Sequence, residues 1–208
     1  MNLLIVAATK FEIEPFLKEK NDADILITGV GIPATVYHLV KKISEKNYDF
    51  VIQAGIAGAF NDDMNLTEVV QVDKDTFADL GIQENGNFQT LFDMGFSQKN
   101  DFPFTDGWLI NPLSFLQKNH LPAVKGITVN KIGDDAFQNK MITEKFSPAV
   151  ESMEGAAFHY VCLLERINFL QLRAISNRVG ERDKSKWKLK ESIENLNKEL
   201  LNIIENLK

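Results

Sequence analysis

The sequence carries a single cysteine, Cys162. One thiol closes no internal disulfide, so the chain is no disulfide scaffold and suits a reducing compartment. Arginine is scarce too: Arg166, Arg173, Arg178 and Arg182 are the four, and none precedes residue 166. With 23 basic against 29 acidic residues the formal net charge is −6, the wrong sign for a general nucleic-acid binder. The first apolar run, Leu3 to Ala8, is too short to span a bilayer and lacks the basic start of a signal peptide. His38, His120 and His159 are scattered, without CxxC or HExxH spacing, so no metal site is expected. A Gly-x-Ser-x-Gly nucleophile elbow is also missing. What is present is an ordinary globular composition, 44% apolar and 25% charged over 208 residues. That length fits one domain, residues 1–208, burying roughly two-thirds or more of its unfolded surface. The expectation is a soluble, cytoplasmic protein with neither nucleic acid nor membrane as partner.

Apolar β-branched runs alternate with amphipathic segments in the N-terminal half, the signature of an α/β chain. Leu3–Ala8 contains no polar residue and reads as a strand covered on both faces. Asp24–Thr28 and Phe50–Ala54 read as further strands, running into Gly29-Val30-Gly31 and Gly55-Ile56-Ala57-Gly58. A short helix opens at Ile13, and Pro33 starts a second whose Val36, Leu39, Val40 and Ile43 keep helical spacing. Glu68–Val72, Val124–Val129 and Phe169–Ile175 complete the strands. Residues 81–105 show little periodicity and are read as a long, partly functional loop. From Trp187 onward, Leu189, Ile193, Leu196, Leu200, Ile203, Ile204 and Leu207 trace the apolar stripe of one amphipathic helix.

Several positions carry chemistry, and each also has a plain structural explanation. Gly29-Val30-Gly31-Ile32-Pro33-Ala34 formally satisfies a dinucleotide fingerprint. That fingerprint needs an acidic residue at the end of the next strand, yet here the strand ends in Ala54-Gly55. A tight turn offering backbone N–H groups is the better reading. Gly55-Ile56-Ala57-Gly58 lies where open α/β sheets place ligands, although small residues equally permit close backbone packing. Glu12 follows the first strand, Glu154 precedes an apolar helix, and Asp134-Asp135 precede Ala136-Phe137. All are equally helix-start residues favoured by capping and the helix dipole. Arg173 interrupts an apolar strand and therefore needs a buried partner, and Asn177 and Gly180 beyond it also suit a turn. His159, in an apolar helix, reads as a hydrogen-bonded core histidine.

Taken in chain order, five elements resemble the purine nucleoside phosphorylase and nucleosidase superfamily, in particular its methylthioadenosine/adenosylhomocysteine nucleosidase branch. They are Ala7-Ala8-x-x-x-Glu12, Gly55-Ile56-Ala57-Gly58, Asp135-Ala136-Phe137, Ser152-Met153-Glu154-Gly155-Ala156-Ala157 and Arg173-Ala174-Ile175-Ser176-Asn177. The resemblance covers most of the chain. It implies a three-layer α/β/α fold around a mixed, partly barrel-like sheet, acting as a homodimer on a small-molecule nucleoside without metal or organic cofactor. Glu12 would be the base that activates water, and Asn177 would meet the nucleobase. Met153 and Glu154 would hold the ribose, Phe137 would stack on the purine, and Ile56, Ala57 and Gly58 would shape the pocket. Such roles suit N-glycosidic cleavage, whose transition state carries positive charge on the sugar.

One departure from that branch is informative. Its adenine-cleaving members carry Asp where this chain has Asn177. An amide donates to O6 or N7 of a 6-oxopurine and accepts from its ring N–H, which reverses part of the hydrogen-bond pattern. Hypoxanthine is therefore the implied base. Hydrolysis is favoured over phosphorolysis, because no arginine lies near the first two glycine turns and Glu12 would repel a phosphate. The segments Ser176–Trp187 and Phe77–Gly81 look like those of futalosine hydrolases, of the alternative menaquinone pathway, whose substrate bears an aryl carboxylate. Arg178 or Arg182, with aromatic side chains of the 96–108 loop, are candidates for that end, each equally a surface charge. Two alternatives stay open: a methylthioadenosine-type nucleosidase that tolerates Asn177, and a nucleoside-binding protein without turnover.

Overall fold

A computed structural model describes residues 1–112 and 120–207. In chain order its elements begin with β1 (Leu3–Ala7), α1 (Glu14–Lys18), β2 (Asp24–Ile27), α2 (Ile32–Glu45), β3 (Phe50–Ala59) and β4 (Val69–Asp75). There follow β5 (Gly81–Glu84), β6 (Asn87–Thr90), β7 (Leu109–Ile110), β8 (Ala123–Thr128) and α3 (Ala136–Phe146). The chain ends with β9 (Val150–Ser152), α4 (Gly155–Leu164), β10 (Asn168–Arg178) and α5 (Leu189–Asn206). No helix among the described residues is long and apolar enough to cross a membrane.

All five residues of β1 are buried, since the strand is paired on both sides, parallel to β2 and to β3. Its side chains alternate between two layers, as the period of two requires. Leu3, Ile5 and Ala7 join the cluster formed with Phe16 of α1 and with Leu196, Leu200 and Ile203 of α5. Leu4 and Val6 face Leu39 of α2 and Phe158, Val161 and Cys162 of α4. This is the three-layer arrangement that the resemblance implied. Each fully buried Leu or Ile contributes on the order of 1.5–3 kcal/mol relative to exposure, so the α5 stripe is a principal clamp on the sheet.

The barrel-like part arises because β3 is long. Along ten residues it pairs parallel with β10 and, at its far end, antiparallel with β9. β10 pairs antiparallel with β4, β4 parallel with β8, and β8 parallel with β9. The sequence β3–β10–β4–β8–β9 thus closes on itself, while β1 and β2 extend from it as open sheet. Small and β-branched side chains fill the ring, among them Ala57, Ala59, Val70, Val72, Val150 and Ile175.

Residues 81–105 are not all loop. β5 and β6 form an antiparallel hairpin joined by Asn85 and Gly86, both at positive φ (49° and 80°). An Asn-Gly pair in this conformation is the preferred two-residue hairpin turn. Every residue of β5 is exposed, so the strand carries no apolar alternation, and periodicity alone reads it as irregular.

The core also holds polar groups. His159 is fully buried, its Nδ1 2.9 Å from the Leu109 carbonyl, and burial pushes its pKa down to about 4, so it is neutral. Asp75 is likewise buried and accepts from Thr128 Oγ1 at 3.0 Å and Gln171 Nε2 at 3.3 Å. Gly155 makes room for it, because a Cβ there would collide with the Asp75 carboxyl and the Gln171 amide. Burial pushes the Asp75 pKa up to about 6, above the roughly 3.9 of an unfolded chain. The folded state therefore binds the extra proton between these values, and its contribution is fully present below about pH 4 and lost as pH rises through about 6. Asp75→Asn, which cannot titrate, should flatten the fall in melting temperature between pH 4 and 6.5. Parallel pH profiles for the variant and the parent protein would contradict this.

Candidate active site

Two cavities compete for the site. One, of about 550 Å³, is lined by aromatic residues including Phe77, Phe104, Trp108 and Tyr160. Its acid Asp93 is held by Lys145 at 2.5 Å and by Thr90, which keep its pKa down to about 2. The other, of about 640 Å³, lies at the carboxyl ends of β1, β3 and β10 and is lined by both Glu12 and Glu154. This is the place expected of ligands in an α/β sheet.

Glu12 sits on the single 3-10 turn that follows β1 and is 7% exposed. Its Oε2 accepts from the Thr9 backbone N–H at 2.9 Å and the Thr9 hydroxyl at 3.0 Å, and its Oε1 accepts from the Ile56 N–H at 3.2 Å. One side chain thus both caps the turn and lines the cavity. Burial raises its pKa above the usual carboxylate value; the Arg173 guanidinium opposes this and the Glu154 charge reinforces it. A carboxylate with a raised pKa is a stronger base. Asn197, buried in the middle of α5, fixes the backbone of this turn: its Nδ2 donates to the Glu12 carbonyl at 2.9 Å and its Oδ1 accepts from Phe16 N–H at 3.0 Å.

Glu154 stands at the N-cap position of α4 but makes no side-chain cap bond there. The first turn of α4 is satisfied instead by Ser152 Oγ, which accepts from Gly155 N–H, and by Thr128 Oγ1, which accepts from Ala156 N–H. This frees the Glu154 carboxylate to cross the cavity. Its Oε1 accepts from Gly31 N–H at 2.9 Å, and its Oε2 lies 3.9 Å from Arg173 Nη1. Gly31 has φ +94°, in the left-handed region that disfavours any Cβ, so the turn that presents this N–H requires glycine.

Arg173 finds the buried partners that the strand pattern demanded. It is 1% exposed, donates from Nη2 to Gln53 Oε1 at 2.8 Å, and lies against Glu154. Gly55 is its register partner on β3. A Cβ at position 55 would collide with the guanidinium and come within 2.9 Å of Glu12 Oε1. The glycine of Gly55-Ile56-Ala57-Gly58 thus leaves room for both the arginine and the Glu12 carboxylate beside it.

Asn177 follows a register shift in β10 between Ile175 and Asn177, beside Gly58. Its Oδ1 accepts from Ser176 Oγ and its Nδ2 donates to the Arg178 carbonyl, each at 2.8 Å. A carbonyl only accepts, so this contact fixes which end of the amide is nitrogen and leaves one N–H and one oxygen lone pair for a ligand. Ile56, Ala57, Gly58 and Met153 line the same cavity. Phe137 does not: it is 57% exposed at the start of α3, which Asp135 caps, and its ring tip lies near Gly86 of the hairpin turn.

Sequence reasoning also passed over groups that the fold brings to this cavity. Glu151 lines it beside Ser152, and Phe11, Lys184 and Trp187 line it with Arg182, which lies 5.8 Å above the Trp187 ring. Glu151 sits in a short strand without periodicity, so nothing in its local pattern separates it from a surface glutamate. Arg178 turns elsewhere, to the carbonyls of Asn61 and Asp62. Phe104 and Trp108 of the 96–108 loop belong to the other cavity.

The chain matches the model of the phosphorylase superfamily over residues 9–207. It is 29% identical over 176 residues to the futalosine hydrolase of Thermus thermophilus, covering 81% of this chain and 75% of that one. With the futalosine hydrolase of Acidothermus cellulolyticus the identity is 30% over 170 residues, covering 79% and 68%. The native structure of the futalosine hydrolase of Helicobacter pylori superposes with a TM-score of 0.81 at 15% identity, over 99% of this chain and 98% of that one. The methylthioadenosine/adenosylhomocysteine nucleosidase of Neisseria meningitidis superposes with a TM-score of 0.80 at 14% identity, over 99% of each. At such identities the structural likeness concerns the fold, and it agrees with the ring of strands found here. Matched to the family model across nearly its full length, and carrying that fold, the chain belongs to the phosphorylase superfamily.

Proposed function

We propose that this protein hydrolyses the N-glycosidic bond of a 6-oxopurine nucleoside, futalosine, releasing hypoxanthine. The observation that carries the reading is the pairing of Glu12 and Glu154 in one cavity whose base-side group, Asn177, is an amide. The identity with futalosine hydrolases supports the same substrate. Glu154 accepts from the ribose hydroxyls and offsets positive charge as it develops on the sugar. Water attacks C1′ from the face opposite the base, its proton passes to Glu12, and the C1′–N9 electron pair leaves with the purine. Asn177 donates its remaining N–H to the departing base. Arg182 and Lys184, with Trp187 and Phe11, suit the aryl carboxylate at the 5′ end, since a charge-assisted pair and an aromatic face stand together there.

Hydrolysis fits better than phosphorolysis because the arginine nearest Glu12, Arg173, is already engaged by Gln53 and Glu154. The protein acts in the cytoplasm, within menaquinone biosynthesis, and as a homodimer. Dimerisation is supported by apolar side chains exposed on α2, Tyr37 at 63% and Val40 at 41%.

Purified protein should release hypoxanthine from futalosine at a rate independent of added phosphate. A phosphate requirement would refute hydrolysis. Glu12→Gln should lower kcat by roughly 10²–10⁴-fold while keeping affinity for hypoxanthine within a few-fold, because it removes the base and preserves the shape. Equal loss of binding and turnover would make Glu12 structural. Asn177→Asp should shift preference toward an adenine nucleoside by at least tenfold, measured as the ratio of kcat/KM on the two bases.

A further inference from the structure

Glu151 is left unused by the reaction outlined above, yet it lies in a telling position. Glu151 on β9 is the register partner of Gly58, and Asn177 on β10 is the partner of Gly58 on its other side. Directly opposed residues of neighbouring strands share a face, and all three line the larger cavity. Strands lie about 4.7–4.9 Å apart, so Glu151 and Asn177 flank a gap of roughly 9–10 Å with only a glycine between them. A Cβ at position 58 would narrow it, pressing at 3.1 Å on Val179 and 3.4 Å on the Asn177 amide. The gap suits a planar base held at two edges.

Glu151 is 6% exposed, and no described residue donates a hydrogen bond to its carboxyl group. Buried polar groups normally have partners, so a carboxyl left open toward a cavity points to a donor arriving with the ligand. Burial, reinforced by the negative charge of Asp79, pushes its pKa up to about 7. Asp79 is itself engaged by Asn130 and gives Glu151 no donor.

We propose that Glu151 is a specificity-determining residue for the nucleobase, its carboxylate accepting the N1–H of a 6-oxopurine across Gly58 from Asn177. The proposal rests on the nucleoside hydrolase reading and deepens it. Above about pH 7, where the Glu151 carboxyl is ionised, hypoxanthine presents it with an N–H at that edge, whereas adenine presents a lone pair that the carboxylate repels. Two polar groups on opposite sides of the base then read it together, and a site built to pair a substrate N–H rejects the analogue lacking it.

The test compares kcat/KM for futalosine and its 6-amino analogue in the parent protein, Glu151→Gln and Glu151→Leu, with melting temperatures measured alongside. Inhibition constants for free hypoxanthine and adenine give the same discrimination where one substrate turns over too slowly. Glu151→Leu should lower the preference for the 6-oxo base at least tenfold, and Glu151→Gln, whose amide oxygen still accepts, should keep an intermediate preference. Should the leucine variant not fold, the glutamine variant decides, with a fall of at least threefold expected. An unchanged preference in a folded variant, or equal losses on both bases, overturns the role of Glu151 and leaves the hydrolase reading intact. No release of either base by the parent protein overturns both.

Discussion

A guanidinium sealed inside a sheet is the constraint from which the rest of this molecule follows. Arg173 reaches its place because β10 runs beside β3 and because Gly55 opposes it without a side chain. Burying a lone cation would cost several kcal/mol, so it needs partners: Gln53 accepts its hydrogen bond, and the Glu154 carboxylate lies 3.9 Å away with Glu12 close by. The same contacts that make the cation tolerable bring two carboxylates from distant parts of the chain to one cavity. Core stability and the layout of this cavity are therefore one problem here, solved by one residue.

The two acids then diverge through their surroundings. Glu12 is held by Thr9 and Ile56 on a turn that Asn197 pins from α5, and its burial raises its basicity. Glu154 is turned away from its own helix toward Gly31, because Ser152 and Thr128 have taken over the capping of α4. On the proposed reading the first takes a proton and the second faces a sugar. Such a division recurs wherever paired carboxylates cleave glycosidic bonds, with environment setting each role. Where the resemblance has an aspartate in its adenine-cleaving members, this chain carries an amide at position 177.

Much of this was legible in the sequence, for identifiable reasons. Leu3–Ala7 has no polar residue to misplace, and the apolar stripe from Leu189 to Leu207 spans five turns, so strand and helix declare themselves. The charged residue in an apolar strand, Arg173, announced a buried partner. The hairpin at residues 81–90 escaped because β5 is wholly solvated and β6 is too short, at four residues, for its alternation to stand out; the Asn85-Gly86 pair was a local signal, and it was present. Phe137, matched to the family by motif, sits apart from the cavity because motif order fixes where a helix starts but not where its first side chain turns. Asn197 hides within an amphipathic stripe, where a polar residue looks like a flaw until the turn it holds is seen. The closing of β10 onto β3 is a long-range pairing that no local pattern encodes.

The most direct test is a crystal structure of the Glu12→Gln protein with futalosine bound. The ribose hydroxyls should lie on the Glu154 carboxylate, the base against Gly58 and Asn177, and a water molecule between residue 12 and C1′. Density for the nucleoside in the aromatic cavity near Trp108, or a base placed away from Asn177, would contradict a site organised around Arg173.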